Sequence, residues 1–283
     1  MPPDRPVYEV AFVLGGGGVL GAHEVGMLRA LAESGIRPDV ILGTSVGAMN
    51  GAFYAADPTL AGTERLTELW SDANLADRSA ATVLRRVTTL ARSGTHLESF
   101  REMRDRLTSV LPVERVEDLA TPYQCVAACI ERAAEHWFDS GPLADVVLAS
   151  CAVPGILPPV RIDGEHFIDG GIVNSIPVSR AVTLGAAKIY VLQVGRLEQA
   201  LKPPRWPWEV GLVAFEVARR HRFAHDLHSL PPDVELHVLP TGGSAAPAYN
   251  DVSSQLRVSR LARTVERQID AAYAASRDYL ARM

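Results

Sequence analysis

The sequence predicts an α/β fold with a mostly parallel central sheet and helices on both of its faces. Three observations carry that expectation. The N-terminal part alternates apolar Tyr8 to Leu14, amphipathic Gly21 to Ser34, apolar Asp39 to Gly43 and helical Val46 to Ala56. Its strands are apolar almost without interruption, as strands covered by helices on both faces are, rather than alternately apolar and polar. A further core strand, Lys188 to Val194, follows another helical stretch, so the strand–helix alternation of a parallel sheet extends deep into the chain.

Taken in order, the first helix is set by Val25, Leu28, Leu31 and Ala32 at helical spacing and is stopped by Gly35. Pro38 marks the turn into the second strand, and Asp57–Pro58 ends the second helix. From about 61 to 119 the chain becomes helical and charged, with Arg85–Arg86 and the R-E-M-R-D-R block at Arg101 to Arg106. This segment reads as a helical insertion whose charges are solvated helix faces. Thr121 to Glu131 returns to a strand, with His136 to Phe138 as a hairpin partner. Leu143 to Cys151 is a helix stopped by the proline-rich Pro154 to Pro159, and Arg161 to Ile168 is a strand pair turning at Asp163–Gly164. Val178 to Leu184 and Pro203 to Ser229 are helical, Glu235 to Leu239 is a last strand, and Ser253 to Met283 is a terminal helix. No repeat or low-complexity linker divides the chain. The expectation is one domain over 1–283, with core motifs at 8–200 and a C-terminal helical region at about 203–283.

The formal net charge of −5 offers no basic stripe for a phosphate backbone, so nucleic acid is not an expected partner. Cys125, Cys129 and Cys151 form no C-x-x-C pair and no ligand set, which favours reduced, buried thiols, a cytoplasmic setting and no metal. The first residues lack the basic-then-apolar pattern of a signal peptide, and no apolar run is long enough to span a bilayer. Peripheral contact with a membrane through Trp206, Trp208 and Phe215 is the softer expectation. Pro203, Pro204 and Pro207 favour a fixed loop with those tryptophans packed inward.

Two chemical signals sit on the N-terminal half. Gly43-x-Ser45-x-Gly47 falls between an apolar strand and a helix, the context in which this pattern forms a sharp elbow and presents its serine. Gly15 to Gly18 and Gly21 form a glycine loop after the first strand, whose backbone amides suit an oxyanion. The same loop satisfies a dinucleotide pattern, Gly16-x-Gly18-x-x-Gly21, but Asp39 stands at the start of the second strand rather than at its end, where a ribose-binding acid belongs. A serine needs a base. Among the histidines, His221, His225 and His228 share helical spacing with Arg219, Arg220 and Arg222, which reads as a polar helix face. A Ser–His–Asp esterase drawing on His221 to His237 is the competing reading. Asp169, followed by Gly170 and Gly171, is the stronger candidate, because glycines let another backbone approach its carboxylate.

On these blocks the chain resembles the patatin-like phospholipases over most of its first 200 residues. The glycine loop, G-T-S-V-G at Gly43 to Gly47 and D-G-G at Asp169 to Gly171 occur in that family's order. A-S-C-A-V-P-G-I-L-P-P-V precedes the aspartate, and Asn174 and Pro177 fall at the family's later positions. The resemblance implies a three-layer sandwich and a Ser–Asp dyad of Ser45 and Asp169. It also implies an oxyanion hole from Gly16, Gly17 and Gly18, no organic cofactor, and lipid acyl esters as substrates. The family often carries Arg or Lys inside the glycine loop, where this chain has Leu20. That difference weakens an anionic head group as the recognised feature. A non-catalytic lipid-binding or regulatory member is the remaining alternative.

Overall fold

The computed structural model describes residues 8–75, 100–154, 157–194, 200–204, 207–243 and 262–283. Its sheet has a parallel heart of five strands. They are β1 (Val10–Leu14), β2 (Val40–Thr44), β3 (Tyr123–Cys129), β7 (Lys188–Leu192) and β8 (Glu235–Val238), arranged β3-β2-β1-β7-β8. Two outer pieces run antiparallel. β4 (Ala134–Phe138) folds back on β3, and the hairpin of β5 (Val160–Ile162) and β6 (Glu165–Asp169) pairs with β3 through β6. The β5–β6 turn passes through Asp163 and Gly164, both at positive φ.

Side chains alternate across a strand, and here both faces are covered. Phe12 and Leu14 of β1 join Ile41, Tyr190 and Leu192 in one core, packed on α1 (Ala22–Glu33), α2 (Val46–Ala56) and the terminal helix α9 (Ala262–Leu280). Ala11 and Val13 join Val40, Leu42, Ile189 and Val191 in a second core. That core is capped by α7 (Val178–Thr183) and by Phe223 of α8 (Pro207–His228). Three layers result, as expected for strands buried on both faces. Helices α3 (Leu60–Leu75) and α4 (Phe100–Val110) are the described parts of the charged insertion. Arg85–Arg86 and His96 lie outside the described residues, as do Trp206 and 253–261 of the expected terminal helix. Helix α5 (Leu143–Ser150) and the short α6 (Gly171–Asn174) bracket the β5–β6 hairpin.

The pairing of β3 brings two distant strand ends together. Its Cys125 to Cys129 edge is taken by β4, so β2 and β6 must share the opposite edge. They meet there end to end: Thr44 is opposite Val126, and Asp169 is opposite Ala127. Residues far apart in sequence thus leave the sheet at one point.

Candidate active site

Ser45 leaves β2 into a sharp turn. Its φ of 54° and ψ of −122° lie where a residue with a side chain is strained. The flanking glycines make the turn possible, since a Cβ on Gly43 would sit 2.5 Å from Ala48 Cα and one on Gly47 would run into the Leu14 carbonyl. The turn is held from below. The Ser45 amide donates to Ser150 Oγ at 2.9 Å, and that hydroxyl donates to the Val126 carbonyl at 2.7 Å. The Cys151 thiol donates to the Ser45 carbonyl at 3.0 Å. The same carbonyl receives the amides of Ala48 and Met49 as α2 begins.

Asp169 arrives from the end of β6. Ser45 Oγ donates to its Oδ2 at 2.6 Å, and the Gly171 amide donates to its Oδ1 at 2.7 Å. Its backbone is tied to α5 and the turn beyond it, with the Asp169 amide on the Ala152 carbonyl and the Gly170 amide on the Ser150 carbonyl. The carboxyl is 1% exposed. Burial disfavours its charged form and pushes its pKa from 3.8 up to about 6, against the opposing pull of the Ser45 hydroxyl and the Gly171 amide.

The glycine loop runs beside the serine, and here one expectation is corrected. The Gly16 amide donates to the Ser175 carbonyl at 2.9 Å, and that of Gly15 to the Leu192 carbonyl, so both are engaged in holding the loop. Gly16 is therefore not a free donor for an oxyanion. The amides of Gly17 and Gly18 have no backbone acceptor among the described residues. All three glycines border a cavity of about 150 Å³ that also contains Ser45 and Asp169 and is closed by Val153, Pro154 and Phe215.

Other sequence-based readings are settled by position. The Asp39 carboxylate receives the amides of Glu9 and Val10 where β1 starts, at the end of the sheet away from the glycine loop, so it is not a ribose ligand. Among the described residues no histidine is bonded to Ser45 or Asp169. His237 meets Glu235 and Tyr279, His228 its own helix, and His221 and His225 border a separate cavity between α7 and α8. No three metal-binding side chains converge among the described residues. Arg219 departs from the polar helix face expected of it, being 3% exposed and bonded to Ser175. Sequence reasoning also missed Ser150, Thr44 and Ser175, whose roles lie in long-range bonds. Thr44 Oγ1 donates to the Asn174 carbonyl at 2.9 Å, one residue before the carbonyl that takes Gly16.

The fold and site together define a three-layer α/β protein with a strained strand-to-helix elbow whose serine is bonded directly to a buried carboxyl group. The family model of the patatin-like phospholipases matches residues 12–182, and the chain belongs to that family. Patatin-like phospholipase domain-containing protein 7 of Mus musculus is 32% identical over 192 residues, which is 67% of this chain and 14% of the relative. Patatin-like phospholipase domain-containing protein 6 of Homo sapiens has the same identity and coverage. The chain thus spans about a seventh of the length of these curated relatives. Among solved structures, VipD from Legionella pneumophila aligns with a TM-score of 0.47 at 14% identity, covering 98% of this chain and 67% of that one.

Proposed function

We propose that this chain is a serine acyl hydrolase that cleaves lipid acyl esters with a Ser45–Asp169 dyad. The observation that carries the reading is the 2.6 Å bond from Ser45 Oγ to Asp169 Oδ2, made by a strained elbow serine to a carboxyl whose pKa is about 6. Such a carboxylate is ionised at neutral pH yet basic enough to take a proton in the transition state.

The reaction has two halves. Asp169 accepts the Ser45 proton as Oγ attacks the ester carbonyl carbon, giving a tetrahedral oxyanion. Gly17 and Gly18 donate to that oxygen, since the Gly16 and Ser45 amides already have acceptors at Ser175 and Ser150. Collapse breaks the ester C–O bond while Asp169 returns its proton to the departing alcohol, leaving an acyl group on Ser45. Water then attacks that acyl carbon, giving its proton to Asp169, and the free acid leaves with the serine restored. No histidine is needed in this sequence.

The substrate class rests on the cavity and the relatives. Val153, Pro154 and Phe215 offer an apolar wall to an acyl chain beside the reacting pair. A relative from Emericella nidulans, 29% identical over 189 residues and matched over 12% of its length, is named a lysophospholipase. Leu20 is buried in the glycine loop and supplies no charge for a phosphate there. No helix among the described residues is long and apolar enough to cross a membrane. Peripheral contact with a lipid surface belongs to the same reading.

Fluorophosphonate labelling tests it. Wild type is expected to gain one adduct, mapped to Ser45. Ser45→Ala should gain none, and Asp169→Asn should react at least about 10²-fold more slowly. A folded wild-type protein that takes no label would instead favour a non-catalytic lipid-binding role.

A further inference from the structure

Helix α8 sends two side chains, one turn apart, to the site. Phe215 borders the cavity, and Arg219 reaches Ser175, whose carbonyl holds the glycine loop. Arg219 Nε donates to Ser175 Oγ at 2.9 Å, and the Ser175 carbonyl in turn receives the Gly16 amide. A Cβ built on Gly16 would lie 3.1 Å from Ser175 Oγ and 3.5 Å from Ser45 Cβ, so the serine hydroxyl, the loop and the nucleophile are packed in succession.

The guanidinium is buried and only partly satisfied. Arg219 Nη1 reaches both oxygens of buried Glu216, at 3.2 and 3.4 Å, but Arg220 Nε takes one of the same oxygens at 2.9 Å. Arg219 Nη2 has no acceptor among the described residues. A buried cation with an unfilled donor stabilises a fold less well than an apolar side chain of similar shape. Stability alone does not account for Arg219 at this place.

We infer that Arg219 is a positioning residue for the oxyanion loop. Through Ser175 it fixes Gly16 so that the Gly17 and Gly18 amides face the reacting carbonyl, and its charge lies behind those amides when negative charge develops. It touches no substrate. The inference rests on the hydrolase reading for its kinetic consequence, but the loop geometry that it describes is measurable without turnover.

The experiment compares wild type with Arg219→Met, Arg219→Lys and Ser175→Ala. Label stoichiometry is read by intact mass, the labelling rate per reactive site by time course, kcat and KM on a short-chain ester, and hydrogen exchange on the Gly15–Gly18 peptide. Arg219→Met should label to full stoichiometry, with the rate per site and kcat lower by about 30–100-fold and KM within about threefold, since losing one oxyanion donor typically costs about 10²–10³ in rate. Arg219→Lys should recover about tenfold of that loss by restoring the charge. Ser175→Ala, which keeps the carbonyl and loses the hydroxyl link, should fall about tenfold. Exchange at the loop should quicken in Arg219→Met and Ser175→Ala. A lower stoichiometry with an unchanged rate per site would reduce Arg219 to a structural role and overturn the inference. Should the wild type take no label, the hydrolase reading fails separately. Unchanged loop exchange in Arg219→Met would then overturn the positioning role, and faster exchange would uphold it.

Discussion

Asp169→Asn should make the protein more stable at neutral pH while disabling it. In the folded chain the carboxyl holds its proton up to a pH of about 6, against 3.8 for an unperturbed aspartic acid. Between those values the unfolded chain has already ionised and the folded chain has not, so stability falls as pH rises through the window. Above about pH 6 the loss is complete, and it amounts to about 3 kcal/mol. Asparagine does not titrate. Its amide oxygen can accept from Gly171, and its NH₂ can donate to Ser45 Oγ, so the two bonds to residue 169 are kept. Urea unfolding of wild type and Asp169→Asn, followed from pH 4 to pH 7.5, isolates the effect because all other titrating groups are common to both. The variant's advantage should grow by most of that amount across the range and then level off. A difference independent of pH would refute the reasoning, since it would mean that burial does not suppress ionisation of Asp169. A difference running the opposite way would mean that the serine and glycine bonds outweigh burial.

The same group should shape the rate: ester hydrolysis and labelling are both expected to rise with pH through an apparent pKa of about 6 and to be lost below it, as a pH–rate series would show. Ser150→Ala leaves the buried Ser45 amide without its acceptor, which should cost about 1–3 kcal/mol in urea unfolding and slow labelling at least about tenfold. Gly43→Ala forces a Cβ to within 2.5 Å of Ala48 Cα, so unfolding should become easier by about 1–3 kcal/mol, and Ser45 should label more slowly as the elbow opens.

How much of the fold and site was legible in the sequence depended on how local the cause was. The elbow could be read because a strand, two glycines and a helix start all lie within a few residues of Ser45. Asp169 could be read because the two glycines directly after it leave room for Val126 and Phe215. The β3–β4 hairpin and the β5–β6 turn were equally local. The engaged Gly16 amide was not legible, because its acceptor is Ser175, 159 residues later. Nor was Ser150, whose hydroxyl matters only once α5 lies under the elbow. Arg219 misled in a different way. It sits among Arg220, His221 and Arg222, where composition indicates a solvated face, yet α8 turns that one position inward beside Glu216 and Phe223. Helical spacing shows which residues share a face, but the neighbour that covers the face is decided by tertiary packing.

The end-to-end meeting of β2 and β6 on β3 makes that third strand a ruler for Ser45 and Asp169. Ser45 and Asp169 are separated by 124 residues of chain, but in space they are set by adjacent rungs, Val126 and Ala127. The chain between them includes the whole charged insertion, and that segment contributes nothing to the rungs themselves. The 2.6 Å between Ser45 Oγ and Asp169 Oδ2 is kept as long as β3 keeps its register. A slip of β3 by a single residue would turn its side chains to the other face and part Ser45 from Asp169 without altering either one.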